Sequence, residues 1–453
     1  MRLEVSAVLS MLSACVVACS GGSNDEAPDD SSAASTDAAS STGPSGAQAA
    51  STTQGTNATT QGSASNATNG ATGSGGAGGP GGPDTSNGNS TAGNTTNTSA
   101  ANAGGATGVT TTAGTGGSGG GPTGCEFDGG ANPGRVCIKG KKYYLNGINV
   151  AWDQWVGDLV NYNAANFEAM FAQLEASGGN SVRWWWFIDG ENQLSFQGNL
   201  AQPLSQNIFD NLDAAFDAAA EHGVLIMPVF LSFDIENSGR EFLVTDAAAT
   251  DAFVTNVVTP LVERYNDHPG LGLWEIMNEG DWLLTEEMGT VSTADYQRFH
   301  AKMAAGIHRA DADALVTTGS ASFKYLAGSN NILSDAALQA AAGGDALAYL
   351  DVYQTHYYAW MHGDGWSYEP WIKSSTEWQA DGKPILIGEF PCLGEDSRWT
   401  TLQMHVEAVN QGFAGTFCWA YFDNRADTLG TWANAEPAMA AIAAQIPAAI
   451  SGE

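Results

Sequence analysis

The feature that most limits the possible folds of this chain is an alternation. From Ile148 onward, short apolar runs of strand length take turns with amphipathic segments of helical spacing, several of which close at a glycine. The runs are 148–152, 181–187, 224–232, 270–279, 314–319, 352–358, 384–389 and 415–421. The helical segments are 166–177, 209–222, 251–265, 293–310, 334–342, 371–380, 399–410 and 437–446. In the first of them Phe167, Met170, Phe171 and Leu174 share one face, and Gly178-Gly179 ends it. Near-continuous apolar runs suit parallel strands buried on both faces. This pattern predicts a (β/α)8 TIM barrel, with 141–147 as a strand pair that plugs or precedes its floor. A doubly wound open sheet is the other reading, but no Gly-rich phosphate turn follows the first run.

The barrel does not need the whole chain. Residues 20–124 are almost entirely Ser, Thr, Gly, Ala and Asn, with no aromatic residue. Such a stretch cannot bury enough apolar surface to offset its ordering entropy, so it reads as a disordered linker. A flexible coil of about 100 residues spans roughly 50–60 Å. Residues 1–19 read as a signal segment: Met1-Arg2, then an apolar run from Val5 to Ala18 that is too short to span a bilayer. It ends Val-Val-Ala-Cys19 and resembles a bacterial lipoprotein signal, with Leu12-Ser-Ala-Cys15 as a second match. The expectation is an exported lipoprotein anchored through Cys19, or Cys15; ordinary secretion is the alternative. Residues 125–453 are left as one catalytic domain, expected to be monomeric.

Net charge is −33, from 49 acidic and 16 basic residues, which makes nucleic acid a poor partner and leaves a neutral polysaccharide unaffected. Cys125 and Cys137 bracket a Gly/Pro/Asn-rich loop and are expected to pair. Cys392 and Cys418 are either a cross-strand pair or two buried thiols. No CxxC or metal-ligand spacing appears, so neither metal nor cofactor is expected.

The chemistry is written at the ends of the runs, where parallel barrels place it. Gly270-Leu-Gly-Leu-Trp-Glu-Ile-Met-Asn-Glu279 ends in Asn278-Glu279, and Pro384-Ile-Leu-Ile-Gly-Glu389 ends in a second carboxylate. Other ends supply Arg183 with Trp184-Trp185-Trp186, His356-Tyr357-Tyr358 with Trp360 beyond, and Trp419 with Tyr421. Two carboxyls on one rim, with aromatics for sugar C–H faces, are what hydrolysis of a glycosidic bond requires.

Trp274-Glu-Ile-Met-Asn-Glu279, His356-x-Tyr358 and Gly388-Glu389-Phe390 together resemble glycoside hydrolase family 5, and within it the endo-β-1,4-mannanases. Gly147-Ile-Asn-Val-Ala-Trp152, Ser177-Gly-Gly-Asn-Ser-Val-Arg183, His268-Pro-Gly-Leu-Gly-Leu-Trp274 and Tyr353-Gln-Thr-His-Tyr-Tyr-Ala-Trp360 carry the resemblance further, so that it spans about 141–425. It implies a retaining hydrolase with Glu279 as acid/base and Glu389 as nucleophile. It implies that Asn278 bonds the substrate 2-OH and that Arg183 and Tyr358 keep Glu389 ionised. It further implies that His356 lines the site and that Trp419 floors the sugar subsite at the cut. The implied substrate is mannan, glucomannan or galactomannan. Two departures bear on subsite preference: Gly280 stands where the family often has Pro, and Phe230-Leu-Ser-Phe-Asp234 lacks an expected polar pair.

Residue by residue, plainer roles compete. Glu275 is expected to be structural inside the barrel, and two of Trp184–Trp186 to be packing. His222, His300 and His308 lie in helical patterns and receive no function. An endo-β-1,4-glucanase, or another β-glycanase on the same barrel, is the alternative enzyme. A glycan-binding surface protein without catalysis is the alternative class.

Overall fold

A computed structural model describes residues 134–453 apart from 154–156, 191–192, 286–287, 360–368, 379–380, 394–398 and 423–428. The chain divides into two units, Met1–Ala106 and Thr107–Glu453. The expected signal segment and linker, with Cys15, Cys19, Cys125 and Trp360, lie outside the described residues.

The strands in chain order are β1 (Val136–Ile138), β2 (Lys141–Tyr143), β3 (Leu145–Val150), β4 (Ser181–Trp185), β5 (Phe196–Gln197), β6 (Leu200–Ala201), β7 (Leu225–Ser232) and β8 (Trp274–Asn278). They continue with β9 (Val316–Thr317), β10 (Gly319–Ser320), β11 (Tyr353–His356), β12 (Ile385–Pro391) and β13 (Gly415–Trp419). The large sheet runs β10-β11-β12-β13-β3-β4-β7-β8-β9, every pair parallel. Because β9 and β10 flank Thr318, the order starts and ends on the two halves of one stave. The molecule is therefore a (β/α)8 barrel whose fifth stave is split. Thr318 turns its hydroxyl aside, donating to the Met277 carbonyl at 3.0 Å, while His300 Nε2 stands 3.1 Å from the same oxygen.

The sequence pattern puts 141–147 ahead of the barrel, but Leu145–Gly147 already belong to the first stave, paired with Gly415–Phe417 of β13. The floor hairpin is instead β1 with β2, and Lys142 exchanges backbone hydrogen bonds with Glu453. The predicted helix 251–265 is really two helices, Ala247–Phe253 and Thr259–Tyr265, joined by a π turn at Val254–Val258. That turn presses Val254 so close to Gly306 that a Cβ there would lie 2.4 Å from Val254 Cγ1. The predicted helix 371–380 shrinks to a 3-10 turn, Pro370–Ile372, and Ser375–Trp378. The last long helix starts at Trp432 rather than Pro437, because Thr431 and Asn434 form a capping box.

Alternation along the staves sorts the side chains into layers. Outward residues such as Trp184, Trp186, Phe230 and Trp274 pack against helices in the main core. Each such burial is worth roughly 2–3 kcal/mol. Inside, the floor is apolar, with Leu145, Leu225, Met227, Leu273, Leu315, Leu386 and Phe417 in one cluster. The rim holds Ala151, Trp185, Val229 and Trp419. Between floor and rim lies a buried polar layer that includes Asn149, Arg183, Glu275 and Gln354.

Candidate active site

Arg183, fully buried on β4, organises that layer. Its Nε and Nη2 donate to the two oxygens of Glu275 at 2.7 and 2.6 Å. Nη1 donates to Asn149 Oδ1 at 2.8 Å and to Glu389 Oε2 at 3.1 Å, and Nη2 also reaches Asn278 Oδ1 at 2.7 Å. A guanidinium has five N–H donors, and these five bonds use them all, which is what a buried charge requires. Glu275, also buried, thus takes the forked side of Arg183, and Glu389 receives one N–H.

Glu389 rises from the middle of β12, where its Oε1 accepts the Tyr358 hydroxyl at 2.6 Å. Arg183 does lower the pKa of Glu389, as expected, but the net shift is upward. Burial comes first and raises the carboxyl, the negative charge of Glu279 adds to it, and His356, Arg183 and Tyr358 pull it back only in part. Arg183 is a weaker counterweight than the sequence suggested because Glu275 shares it.

Glu279 follows β8 directly, in the left-handed region at φ 45°. That conformation costs a non-glycine residue on the order of 1 kcal/mol and turns the side chain back over the rim. Gly280 next to it has no room for a side chain: a Cβ would fall 2.4 Å from Met277 Sδ. The Glu279 carboxyl is pushed up to about 7, by burial first, with the charges of Asp234 and Glu275 adding and the Trp282 indole and Arg183 opposing.

His356, at the end of β11, faces both carboxyls. Its Nδ1 is 2.9 Å from Glu279 Oε1 and 3.6 Å from Glu389 Oε2. Burial holds its pKa down at about 4, so the ring is neutral at ordinary pH. The room for it comes from Gly319, where a Cβ would meet Glu275 Oε1 at 2.7 Å and His356 Nε2 at 2.9 Å. One ligand atom each from Glu279, His356 and Glu389 lie within 4.8 Å of one another. Spacing along the sequence gave no metal-ligand set, yet folding assembles this one, whose donors would also suit a divalent cation.

Seven predicted residues, Arg183, Asn278, Glu279, His356, Tyr358, Glu389 and Trp419, lie at this end of the barrel. Trp419 packs 5.0 Å from Trp185 and 6.5 Å from Trp152 between ring centroids. The Arg183 guanidinium carbon lies 5.6 Å from the Trp185 ring centre. An aromatic wall thus adjoins the carboxyl pair. Two rim residues named from the sequence turn away: Tyr421 bonds Gln173 and packs on Phe422 and Trp432, and Tyr357 packs on Trp371. Cys392 and Cys418 are buried thiols without a disulfide between them, the Cys392 Sγ lying 2.7 Å from the Cys418 Sγ. His222, His300 and His308 serve their helices, bonded to Glu168 and Glu175, to Thr318, and to Asp351.

Sequence reasoning missed three contributors. Trp282 donates its indole N–H to Glu279 Oε2 at 3.0 Å from the 3-10 turn Gly280–Leu284. Ser232 and Asp234 stand at the end of β7, where Ser232 pairs in register with Asn278. The spacing of Glu279 and Trp282, three apart after a strand, was the one available signal for Trp282.

Two carboxyls this close, on the C-terminal rim of a parallel barrel and beside an aromatic wall, define a barrel glycoside hydrolase. The chain belongs to glycosyl hydrolase family 5, described as Cellulase, which it matches over residues 136–428. It is 26% identical over 342 residues to a mannan endo-1,4-beta-mannosidase of Cryptopygus antarcticus, covering 68% of this chain and 87% of the relative. A mannan endo-1,4-beta-mannosidase of Mytilus edulis is 25% identical over 333 residues, covering 66% and 90%. The solved beta-mannanase from blue mussel Mytilus edulis superposes with a TM-score of 0.60 at 24% identity, over 68% of this chain and 93% of that one. An endo-1,4-beta-mannanase from Eisenia fetida gives 0.59 at 25% identity, over 68% and 92%.

Proposed function

We propose that this enzyme is a retaining endo-β-1,4-mannanase, with Glu389 as nucleophile and Glu279 as acid/base. The observation that carries the reading is the carboxyl pair facing one imidazole, His356 Nδ1, from 2.9 and 3.6 Å. Atoms of the three groups within 4.8 Å of each other support the short carboxyl separation of retaining hydrolases, about 5–5.5 Å, rather than the wider gap that admits a water.

In the first step a Glu389 oxygen attacks the anomeric carbon, the glycosidic C–O bond breaks, and Glu279 gives its proton to the leaving oxygen. In the second, water attacks the same carbon and gives a proton to Glu279, and the ester bond to Glu389 breaks. The direct Arg183 contact supports Glu389, rather than Glu279, as the nucleophile. Asn278 bonds the 2-OH of the reacting sugar. Trp419, with Trp185 and Trp152, offers its ring to the sugar's C–H face.

Mannan as substrate is supported by the mannosidase relatives. A β-1,4-glucan is kept as a second reading by the family's own description. Offering galactomannan, glucomannan, xylan and carboxymethylcellulose side by side decides between them. The expected result is internal cleavage of the mannans, with the first-formed reducing end in the β configuration. Cleavage of carboxymethylcellulose alone selects the glucanase, and an α product excludes retention. Glu389→Gln is expected to abolish turnover while leaving polysaccharide binding measurable.

The same proposal includes an exported, lipid-anchored location through Cys19, or Cys15. Fractionation tests it: Cys19→Ala is expected to move activity from the membrane pellet to the supernatant. If Cys15→Ala alone does so, the anchor is Cys15, and if neither does, there is no such anchor.

A further inference from the structure

Asn278 is held at both ends of its amide. Arg183, which can only donate, fixes Oδ1 at 2.7 Å. On the other side Nδ2 donates to Ser232 Oγ at 3.3 Å. A serine hydroxyl has one proton and two lone pairs. The Ser232 proton goes to Asp234 Oδ2 at 2.7 Å. Its lone pairs take the Asn278 N–H and the Asp234 backbone N–H, the latter at 3.5 Å. The hydrogen-bonding capacity of Ser232 is therefore filled, and its direction is set by the carboxylate that accepts its proton. Without that acceptor the hydroxyl is free to rotate and point its own proton at the Asn278 amide, donor against donor.

The backbone brings these groups together. Ser232 ends β7 opposite Asn278, and it also caps the 3-10 turn Phe233–Ile235 that carries Asp234. Ser232 is fully buried, whereas Asp234 is half-buried, with Asn237 Nδ2 at 3.5 Å from its other oxygen. The relay runs from the half-buried Asp234 through Ser232 and Asn278 to Arg183, and each member has the partner its chemistry needs.

We propose that Asp234 is a positioning residue for this enzyme: by accepting the Ser232 proton it orients the Asn278 amide, leaving the second Nδ2 proton for the 2-OH of the reacting sugar. This rests on the reading of the site as a β-mannoside hydrolase. Mannose and glucose differ only in the direction of that hydroxyl, so the relay bears directly on which sugar the site accepts. The departure in the sequence of β7 is thereby accounted for: a polar pair is present, as Ser232 and Asp234, one acting through the other.

The test uses an aryl β-mannobioside and its counterpart lacking the 2-OH on the reacting sugar. With the first, Asp234→Ala and Ser232→Ala are each expected to lower kcat/KM on the order of tenfold, mostly in kcat, because misplacing a transition-state contact costs that much. The double variant is expected to lose no more than the larger single loss, since the two act in series. Asp234→Asn, whose amide oxygen still accepts the Ser232 proton, is expected to recover to within about threefold. With the 2-deoxy substrate all four variants are expected to match the parent within about threefold. Equal losses on both substrates, or no loss on either, overturn the relay. If the parent cleaves neither glycoside, the mannosidase reading fails, and crystals of Asp234→Ala still decide the relay: a second Asn278 amide orientation supports it, and a single unchanged one overturns it.

Discussion

Trp282 donates its indole N–H to Glu279 Oε2 across 3.0 Å, from a turn begun by Glu279's own left-handed backbone. That bond favours the charged carboxylate, against burial, which favours the neutral acid and wins, leaving the group at about 7. As the acid of the proposed reaction, Glu279 is competent while protonated. Hence Glu279 sets the alkaline limb of kcat/KM, which is expected to fall above about 7, while Glu389, which must be ionised to attack and whose carboxyl burial raises, sets the acid limb. Trp282→Phe removes the indole donor, so the proton is held to higher pH and the alkaline limb moves up. A hydrogen bond to a charged group, worth about 1.5–3 kcal/mol, sets that movement at about one to two units. A pH profile on one soluble mannan checks it, and a limb that moves down contradicts the assignment.

Glu275 acts on the same limb with the opposite sign. Its charge raises Glu279, so Glu275→Gln is expected to move the limb down. It also leaves the buried Arg183 guanidinium with a neutral partner in its forked site, at a cost on the order of 3 kcal/mol in stability. Urea unfolding gives the second number and the pH profile the first. A variant as stable as the parent would show that Glu389 alone balances Arg183.

These opposing effects show where sequence reading succeeded and where it stopped. The ends of β8 and β12 were legible because a carboxylate that closes an apolar parallel run is left at the functional rim of a barrel. That two of Trp184–Trp186 would be packing was legible from alternation along a strand, and the structure shows Trp184 and Trp186 to be those two. Trp282 was not, since nothing in Gly280-Asp-Trp says that Glu279 adopts a positive φ and opens a 3-10 turn. Ser232 and Asp234 were not, because a serine after an apolar run reads as a turn residue. Only the register against Asn278 shows that it faces the site. Tyr421 was misplaced for a related reason: β13 ends at Trp419, and beyond a strand's end alternation no longer says where a side chain goes. The split of the fifth stave at Thr318 depends on a hydrogen bond to another strand, which no local pattern encodes.

Trp419 tests the aromatic wall. It is almost fully buried among Trp152, Trp185 and Ala420, at the edge of the carboxyl pair. Trp419→Ala removes a stacking surface worth about 1.4 kcal/mol or more, so KM is expected to rise roughly tenfold with a smaller change in kcat. Unchanged kinetics would take this side chain out of the subsite. A fall confined to kcat would make it a group that acts only in the transition state.

Asp281 carries the last prediction, through stability rather than rate. Its Oδ1 accepts the Ala321 N–H at 3.0 Å, tying the turn after Glu279 to the loop after β10, and its Oδ2 is buried without a hydrogen-bond partner among the described residues. Burial, and then the nearby Glu279 charge, push this carboxyl up to about 7. In the unfolded chain it titrates near 4, so between those values the folded state holds a proton that the unfolded state has lost. Its contribution to stability is present below about 4 and is lost as pH rises through about 7. Asp281→Asn keeps an oxygen for Ala321 and cannot ionise. The stability of the variant relative to the parent, read as a difference in melting temperature, is therefore expected to climb between about pH 4 and pH 7 and then level off, by an amount on the order of 4 kcal/mol. Melts at several pH values across that window measure it. A difference that stays flat would mean that Asp281 is ionised in the fold at every pH tested, with a partner for its second oxygen.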